Sequence, residues 1–523
     1  MASWTGYRSE RTLRSYARTP IRHNVSANLL AKVVGAAINL ACVPFFVRAL
    51  GVAGYGVVGI WVTLETVANL FDLGLSATIT RELAVSTAGP QASGSTRDLL
   101  RTLESIYWLI GILLGVAVIV AAPALANDWF HRGNLQEAVI RRALVAIGVL
   151  LACRWPISLY LGGLNGLERQ VFLAWVNIGF AIARNVGAIV ALIIYAPTVM
   201  TFLVSQILVN SAYTGLLAWF LWQALPPVDT RAAIRLSSLR RVWRFAGGTG
   251  AIALAAFAVQ DIGPVVVSKL VTLDQFGYYN IALRLTSVVY LGSMAVGTAA
   301  FPALSRLVAH GNKDELSATY HALCQLQAVL VLPVTAIVVF FGRQLIFLWT
   351  GDPMLAAQIY PVSAMLAIGS AVQCLGIPPF ALQIAYGWTS LALYSNVATA
   401  SVNFPLLLWL VPKYGIVGAA IAWLIVAVVV FALQTPLMHR RLLPDQQRAF
   451  YLVDMLCPLL AAAVVPALSE PAIGLASRLE LMWIIPALFL LSTLSAIVIA
   501  PAVRSKLYRM FLERRLWWAP SRA

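Results

Sequence analysis

From Asn24 to Glu82 the chain carries two apolar segments, Asn24–Leu50 and Gly54–Thr80, joined by the turn Gly51-Val52-Ala53-Gly54-Tyr55-Gly56. Each exceeds the about 20 residues a helix needs to cross a bilayer at about 1.5 Å per residue. In hydrocarbon a backbone must satisfy its own hydrogen bonds, so both segments read as membrane helices. Neither is uniformly apolar. Asn28, Lys32, Gly35 and Asn39 share one helical face, and Trp61, Glu65, Asn69 and Asp72 share another. A charge in mid-membrane costs about 2.5–3.5 kcal/mol on insertion scales. The two polar stripes therefore predict a hydrated cavity inside a helix bundle.

Twelve more segments of similar character follow. They are Ile106–Ala126, Val139–Gly163, Val171–Tyr195, Thr198–Gln223, Phe245–Leu270, Phe276–Leu304, Cys324–Trp349, Ala356–Tyr386, Thr389–Pro412, Gly415–Met438, Phe450–Glu470 and Leu481–Val503. Only 11% of the 523 residues are charged and 60% are hydrophobic, where a soluble domain carries about 25% charge. The short alternating segments of a membrane β-barrel are missing. The expected fold is an all-α polytopic bundle of about fourteen spans.

The excess of 37 Lys+Arg over 20 Asp+Glu resembles a nucleic-acid binder's until it is mapped. With the N-terminus inside, 25 of the basic residues fall on inside segments, 8 on outside ends and 4 within spans. That bias predicts both termini in the cytoplasm and no nucleic-acid partner. The basic residues also meet anionic lipid head groups, with Trp517 and Trp518 as interfacial anchors. A shift of 221 residues lays Arg48, Tyr55 and Gly56 on Lys269, Phe276 and Gly277, and a shift of 219 lays Asn177 on Asn396. The expected organisation is therefore two six-helix halves, 24–223 and 245–438, around a central cavity. Residues 224–244 form a basic cytoplasmic connector, 450–503 add two spans, and 1–23 and 504–523 are basic tails.

Several chemistries are excluded. None of the five lysines precedes Ser or Thr, so there is no Walker A loop, and the five histidines form no HExxH. Cys42, Cys153, Cys324, Cys374 and Cys457 lie in apolar stretches and read as core residues, not as a metal site or disulfide frame. No cofactor motif and no large outside loop with paired acids is present, so the chain is not expected to be an enzyme.

The remaining chemistry is intramembrane charge: Lys32, Arg154, Arg184 and Arg284 against Glu65, Asp72 and Asp261. The basic residues are candidate cavity groups. The acids are candidates for ion coupling or for charge pairing, and depth in the spans allows Lys32 with Asp72 and Arg284 with Asp261. Arg154 and Arg184 have no acid at their level except Glu65. Prolines 44, 156, 264, 302, 378, 379 and 405 permit bends in the spans.

The runs Val43-Pro44-Phe45-Phe46-Val47-Arg48-Ala49-Leu50-Gly51, Gly54-Tyr55-Gly56, Phe71-Asp72-Leu73-Gly74-Leu75, Arg81-Glu82-Leu83-Ala84 and Gly163-Leu164-Asn165-Gly166-Leu167-Glu168-Arg169 resemble the polysaccharide-biosynthesis flippases. These are the Wzx-type O-antigen and exopolysaccharide exporters of the multidrug/oligosaccharidyl-lipid/polysaccharide superfamily. The resemblance implies a two-lobed transporter of the bacterial cytoplasmic membrane working by alternating access. Its cargo would be an oligosaccharide on polyprenyl pyrophosphate, its cavity cationic, and its partners membrane lipids and the polysaccharide polymerase and chain-length machinery. The fourteen-span count is similar to lipid II flippases, whose two extra spans help form a lipid groove. The rival readings are a cation-coupled multidrug antiporter of the same superfamily, a membrane-embedded glycan polymerase or ligase, and a non-transporting scaffold.

Overall fold

The computed structural model describes residues 21–86, 93–225, 232–235, 257, 261–473, 477–506 and 508, apart from 132 and 134. Among them the architecture is helical, and the one β feature is an isolated bridge between His131 and Thr272. Eleven described helices are long and apolar enough to cross a membrane. The chain is a multi-pass membrane protein.

It packs as two compact units, one of residues 1–50, 64–126 and 137–254, the other of 51–63, 127–136 and 255–523. The described helices of the first stretch are α1 (Ile21–Asn69), α2 (Leu75–Ser86), α3 (Ser93–Ala124), α4 (Glu137–Arg154), α5 (Ile157–Gly166), α6 (Gln170–Ile194) and α7 (Val199–Ala224). Those of the second are α8 (Ile262–Leu270), α9 (Leu273–His310), α10 (Lys313–Thr350), α11 (Pro353–Leu375), α12 (Ile377–Ala385), α13 (Thr389–Leu442), α14 (Cys457–Ile473) and α15 (Arg478–Ile499). The expected seventh span, Phe245–Leu270, lies mostly outside the described residues.

Two pairs of expected spans are each one continuous helical path with a kink. Gly51 (φ 73°) divides α1 and Gly415 (φ 58°) divides α13. Only glycine reaches that backbone region without a Cβ penalty, so the kinks sit where the sequence can make them. Conversely, three expected spans are broken: Gly54–Thr80 divides between α1 and α2 at Leu73 (φ 45°) and Gly74 (φ 75°), and two others divide at prolines. Val139–Gly163 divides between α4 and α5 at Pro156, and Ala356–Tyr386 divides between α11 and α12 just before Pro378 and Pro379. Proline removes one ladder hydrogen bond and its ring clashes with the preceding turn, and each of these two breaks adjoins one.

These breaks recur with the expected period. α4 ends at Arg154 and α11 at Leu375, 221 residues apart; α6 begins at Gln170 and α13 at Thr389, 219 apart. In the second unit the repeat-related glycines also meet reciprocally. A Cβ on Gly56 would lie 2.4 Å from the Leu273 carbonyl oxygen, and one on Gly277 would lie 2.3 Å from that of Val52. Leu273 and Val52 are themselves 221 residues apart, so the contact has the self-complementary form of a pseudo-two-fold crossing.

In the first unit α3 packs on α4, α4 on α7, α6 on α7 and α2 on α5. Gly115 and Gly148 bring α3 and α4 together, since a Cβ on either would lie 2.5–2.6 Å from the other's carbonyl oxygen. Small residues at such crossings are the membrane solution to close packing where water supplies no hydrophobic drive. The described piece of the connector is tied to α3: Arg235 pairs with Asp98 at 2.9 Å, and the Arg235 backbone N–H donates to Thr102. In the second unit α9, α10 and α11 pack together, α13 lies on α11, and α14 and α15 lie on α10. Large apolar side chains such as Trp175, Ile193, Leu208, Leu468 and Trp483 stay outward-facing, the surface that acyl chains cover in a bilayer.

Candidate functional site

Five of the seven predicted charged positions fall in the first unit, where a polar seam crosses four helices. Arg154 is the last residue of α4, where a cation suits the helix C-terminus. Its Nε lies 2.5 Å from Glu65 Oε1 on α1, and its Nη1 donates to Asn210 Oδ1 on α7 at 2.5 Å. Both side chains are about a fifth exposed, 22% and 23%. Asn210 Nδ2 donates to the Gln206 carbonyl, and Gln206 Nε2 donates to the Arg184 carbonyl on α6. Arg184 in turn donates to Asn39 Oδ1 at 2.6 Å and lies over the Phe180 ring, and Asn185 donates to the same Asn39 oxygen. Asn177 accepts the Tyr213 hydroxyl nearby, and Tyr213 stacks on Phe180. The seam therefore links the polar stripe of α1 to those of α4, α6 and α7.

Two charge pairings considered from the sequence do not form among the described residues. Asp72 sits on the short turn after α1 and accepts hydrogen bonds from Tyr107 on α3 and from Ser76 Oγ at 2.7 Å. Local hydroxyls thus satisfy it, and Lys32 is exposed on α1 without an ion pair to it. Arg284 is exposed on α9 and lies beside the Tyr55 hydroxyl. Asp261 instead precedes α8 and lines a cavity of about 280 Å³ with Tyr279, Ser287, Asn403 and Trp423. The acid that does pair is Glu65, with Arg154.

Several polar groups escaped the sequence reading. Gln206, Asn210 and Thr214 are spaced by four on α7, a stripe that was legible but uncounted. Glu104 of α3 is buried and accepts from Tyr160 at 2.7 Å and from Trp222 at 3.3 Å, besides its Arg101 ion pair. Asp454 was also passed over, although it lies within the expected span Phe450–Glu470. It is 1% exposed on a π-helical turn, Phe450–Leu456, of the kind that often marks sites under special constraint. One of its oxygens pairs with His321 Nδ1 and the other accepts from Gln325 at 2.8 Å. His321 Nε2 bonds Gln446, and Gln325 accepts the Ala502 N–H. This cluster joins α10 to both ends of the C-terminal helix pair.

The five cysteines are free thiols. Among the described residues no group of three His, Cys, Asp or Glu side chains is placed to hold a metal.

A helical bundle of this kind, with a polar seam carrying half-buried charge, defines a polytopic membrane protein of the transporter class. Residues 45–357 match the family described as polysaccharide biosynthesis protein. That is more than half of the chain, which therefore belongs to that family, as its motifs implied. The chain is 21% identical over 406 residues to a Shigella flexneri protein assigned to O-antigen transport, covering 76% of this chain and 92% of that one. Its fold is similar to the lipid II flippase MurJ in an inward closed conformation (TM-score 0.68, 13% identity, 94% and 99% of the two chains). It is also similar to the MATE multidrug transporter DinF-BH (TM-score 0.58, 15% identity, 81% and 96%). The two solved structures share the architecture and differ in cargo, so the fold alone does not choose between glycan and drug.

Proposed function

We propose that this protein flips polyprenyl-pyrophosphate-linked oligosaccharide across the cytoplasmic membrane for cell-surface polysaccharide synthesis, O-antigen or exopolysaccharide. Family membership, together with the O-antigen transport assignment of a relative aligned over 76% of the chain, carries this reading. In it both termini are cytoplasmic. The lobes 24–223 and 245–438 rock about the connector 224–244, and the pair in 450–503 flanks the second lobe. The role is vectorial and involves no bond-making by the protein. Polymerase and chain-length machinery would receive the product outside.

The seam of the first unit supplies chemistry suited to the pyrophosphate. Arg184 and Arg154 are planar donors that keep their charge in low dielectric and can fork onto phosphate oxygens. Glu65 offsets Arg154 in the structure, so an arriving anion would compete with the carboxylate, and the exchange would let Arg154 change partners during the cycle. The balance of base over acid among the candidate residues favours this cargo over the cationic substrate of a drug antiporter. Expression in a bacterium lacking its own O-antigen flippase, supplied with the polysaccharide genes neighbouring this chain's locus, tests the proposal. Restored surface polysaccharide, lost in the Arg154→Gln/Arg184→Gln variant that still inserts, supports it. Absence of polysaccharide with drug resistance gained in a sensitive host overturns it.

A further inference from the structure

The second unit contains a larger cavity, about 500 Å³, whose lining differs in kind from the charged seam. Gln373 of α11, Gln383 and Phe380 of α12, and Asn396, Trp423 and Gln434 of α13 face it. Because α13 folds back at Gly415, both of its arms contribute. Among the described residues no charged side chain lines it. Its volume lies within the about 300–1,000 Å³ of sites for drug-sized molecules.

The amides are held in place by one another. Ser395 Oγ donates to Gln434 Oε1 at 2.9 Å, Gln434 Nε2 to Gln383 Oε1 at 2.9 Å, and Gln383 Nε2 to the Trp388 carbonyl at 3.0 Å. Tyr290 donates to Gln373 Oε1 at 2.6 Å, which turns the Gln373 amide donor outward from that bond. Asn396 is half-buried and faces the same cavity. The wall thus combines fixed amides, which both donate and accept, with aromatic faces. A pyranose ring has the matching pair of surfaces, hydroxyls that both donate and accept around its rim and an apolar C–H face. Among the described residues a pyrophosphate would find no cation here, and a drug cation no carboxylate.

We propose that this chamber of the second unit is a carbohydrate subsite, taking uncharged sugar units of the cargo. The proposal rests on the flippase reading above. The test uses the full-length protein in nanodiscs and native mass spectrometry. Two probes are compared: bare polyprenyl pyrophosphate, and the lipid-linked oligosaccharide extracted from cells that make this chain. The readout is the ratio of the two affinities in wild type, in Asn396→Leu and, independently, in Phe380→Leu. Wild type should prefer the glycan-bearing lipid by about tenfold, the worth of one or two net hydrogen bonds plus a stacked face, and each variant should lose most of that preference. If wild type binds both lipids equally, or if both variants keep the wild-type ratio, the sugar subsite is wrong while the flippase reading stands. If wild type binds neither lipid, the flippase reading fails and the subsite with it.

Discussion

Neutralising Glu65 is the sharpest probe of the seam. In Glu65→Gln the amide keeps the shape of the side chain but leaves the Arg154 guanidinium with only neutral partners, Asn210 among them. Removing one member of a buried pair costs about 3–5 kcal/mol, and an isolated charge at mid-membrane about 2.5–3.5 kcal/mol. Both side chains are 22–23% exposed, so some water reaches the orphaned cation and the lower end applies, about 2–3 kcal/mol. Arg154→Gln should cost less. In low dielectric a carboxylic acid has a neutral form available, whereas a guanidinium has none. The double variant Glu65→Gln/Arg154→Gln carries no charge and should fall within about 1 kcal/mol of wild type. Reversible unfolding in mixed micelles gives the four free energies. A Glu65→Gln protein as stable as wild type, or an Arg154→Gln protein less stable than Glu65→Gln, would refute the view that this pair holds a desolvated charge.

Other substitutions test the packing. Gly148→Val places a side chain where a Cβ already meets the Gly115 carbonyl at 2.6 Å. It should separate α3 from α4 and abolish a monodisperse chromatographic peak, whereas Gly179→Ala, with nothing within 4 Å of the added carbon, should leave it intact. Gly51→Ala forces alanine to φ 73°, so unfolding assays should show a loss of about 1–3 kcal/mol. Asp454→Ala leaves His321 Nδ1 and Gln325 Nε2 without their acceptor and should loosen the C-terminal helix pair by about 1–3 kcal/mol. Backbone hydrogen exchange in α14 and α15 should then accelerate, and Asp454→Asn, which retains an acceptor for Gln325, should be milder.

The apolar segments and their loops determined most of the architecture from the sequence alone, because a bilayer admits only helices of a fixed minimum length. The repeat was legible in a few residues, Tyr55-Gly56 and Phe276-Gly277 among them. The recurring helix breaks and the reciprocal glycine contact then gave it physical content. The prolines marked where interruption was possible, but whether a helix continues through one, as at Pro44, or stops, as at Pro156, depends on what the freed backbone meets in the fold. Pairing was the part only tertiary structure could decide. Depth along a span placed Lys32 level with Asp72, yet depth says nothing of azimuth, and Asp72 turned instead to Tyr107 and Ser76. Glu65 and Arg154 lie 89 residues apart, and nothing local records that α1 and α4 bring them into contact. The neutral chamber of the second unit was hidden for the same reason. Its amides are scattered over three helices, and they acquire a common chemistry only where the folded helices converge.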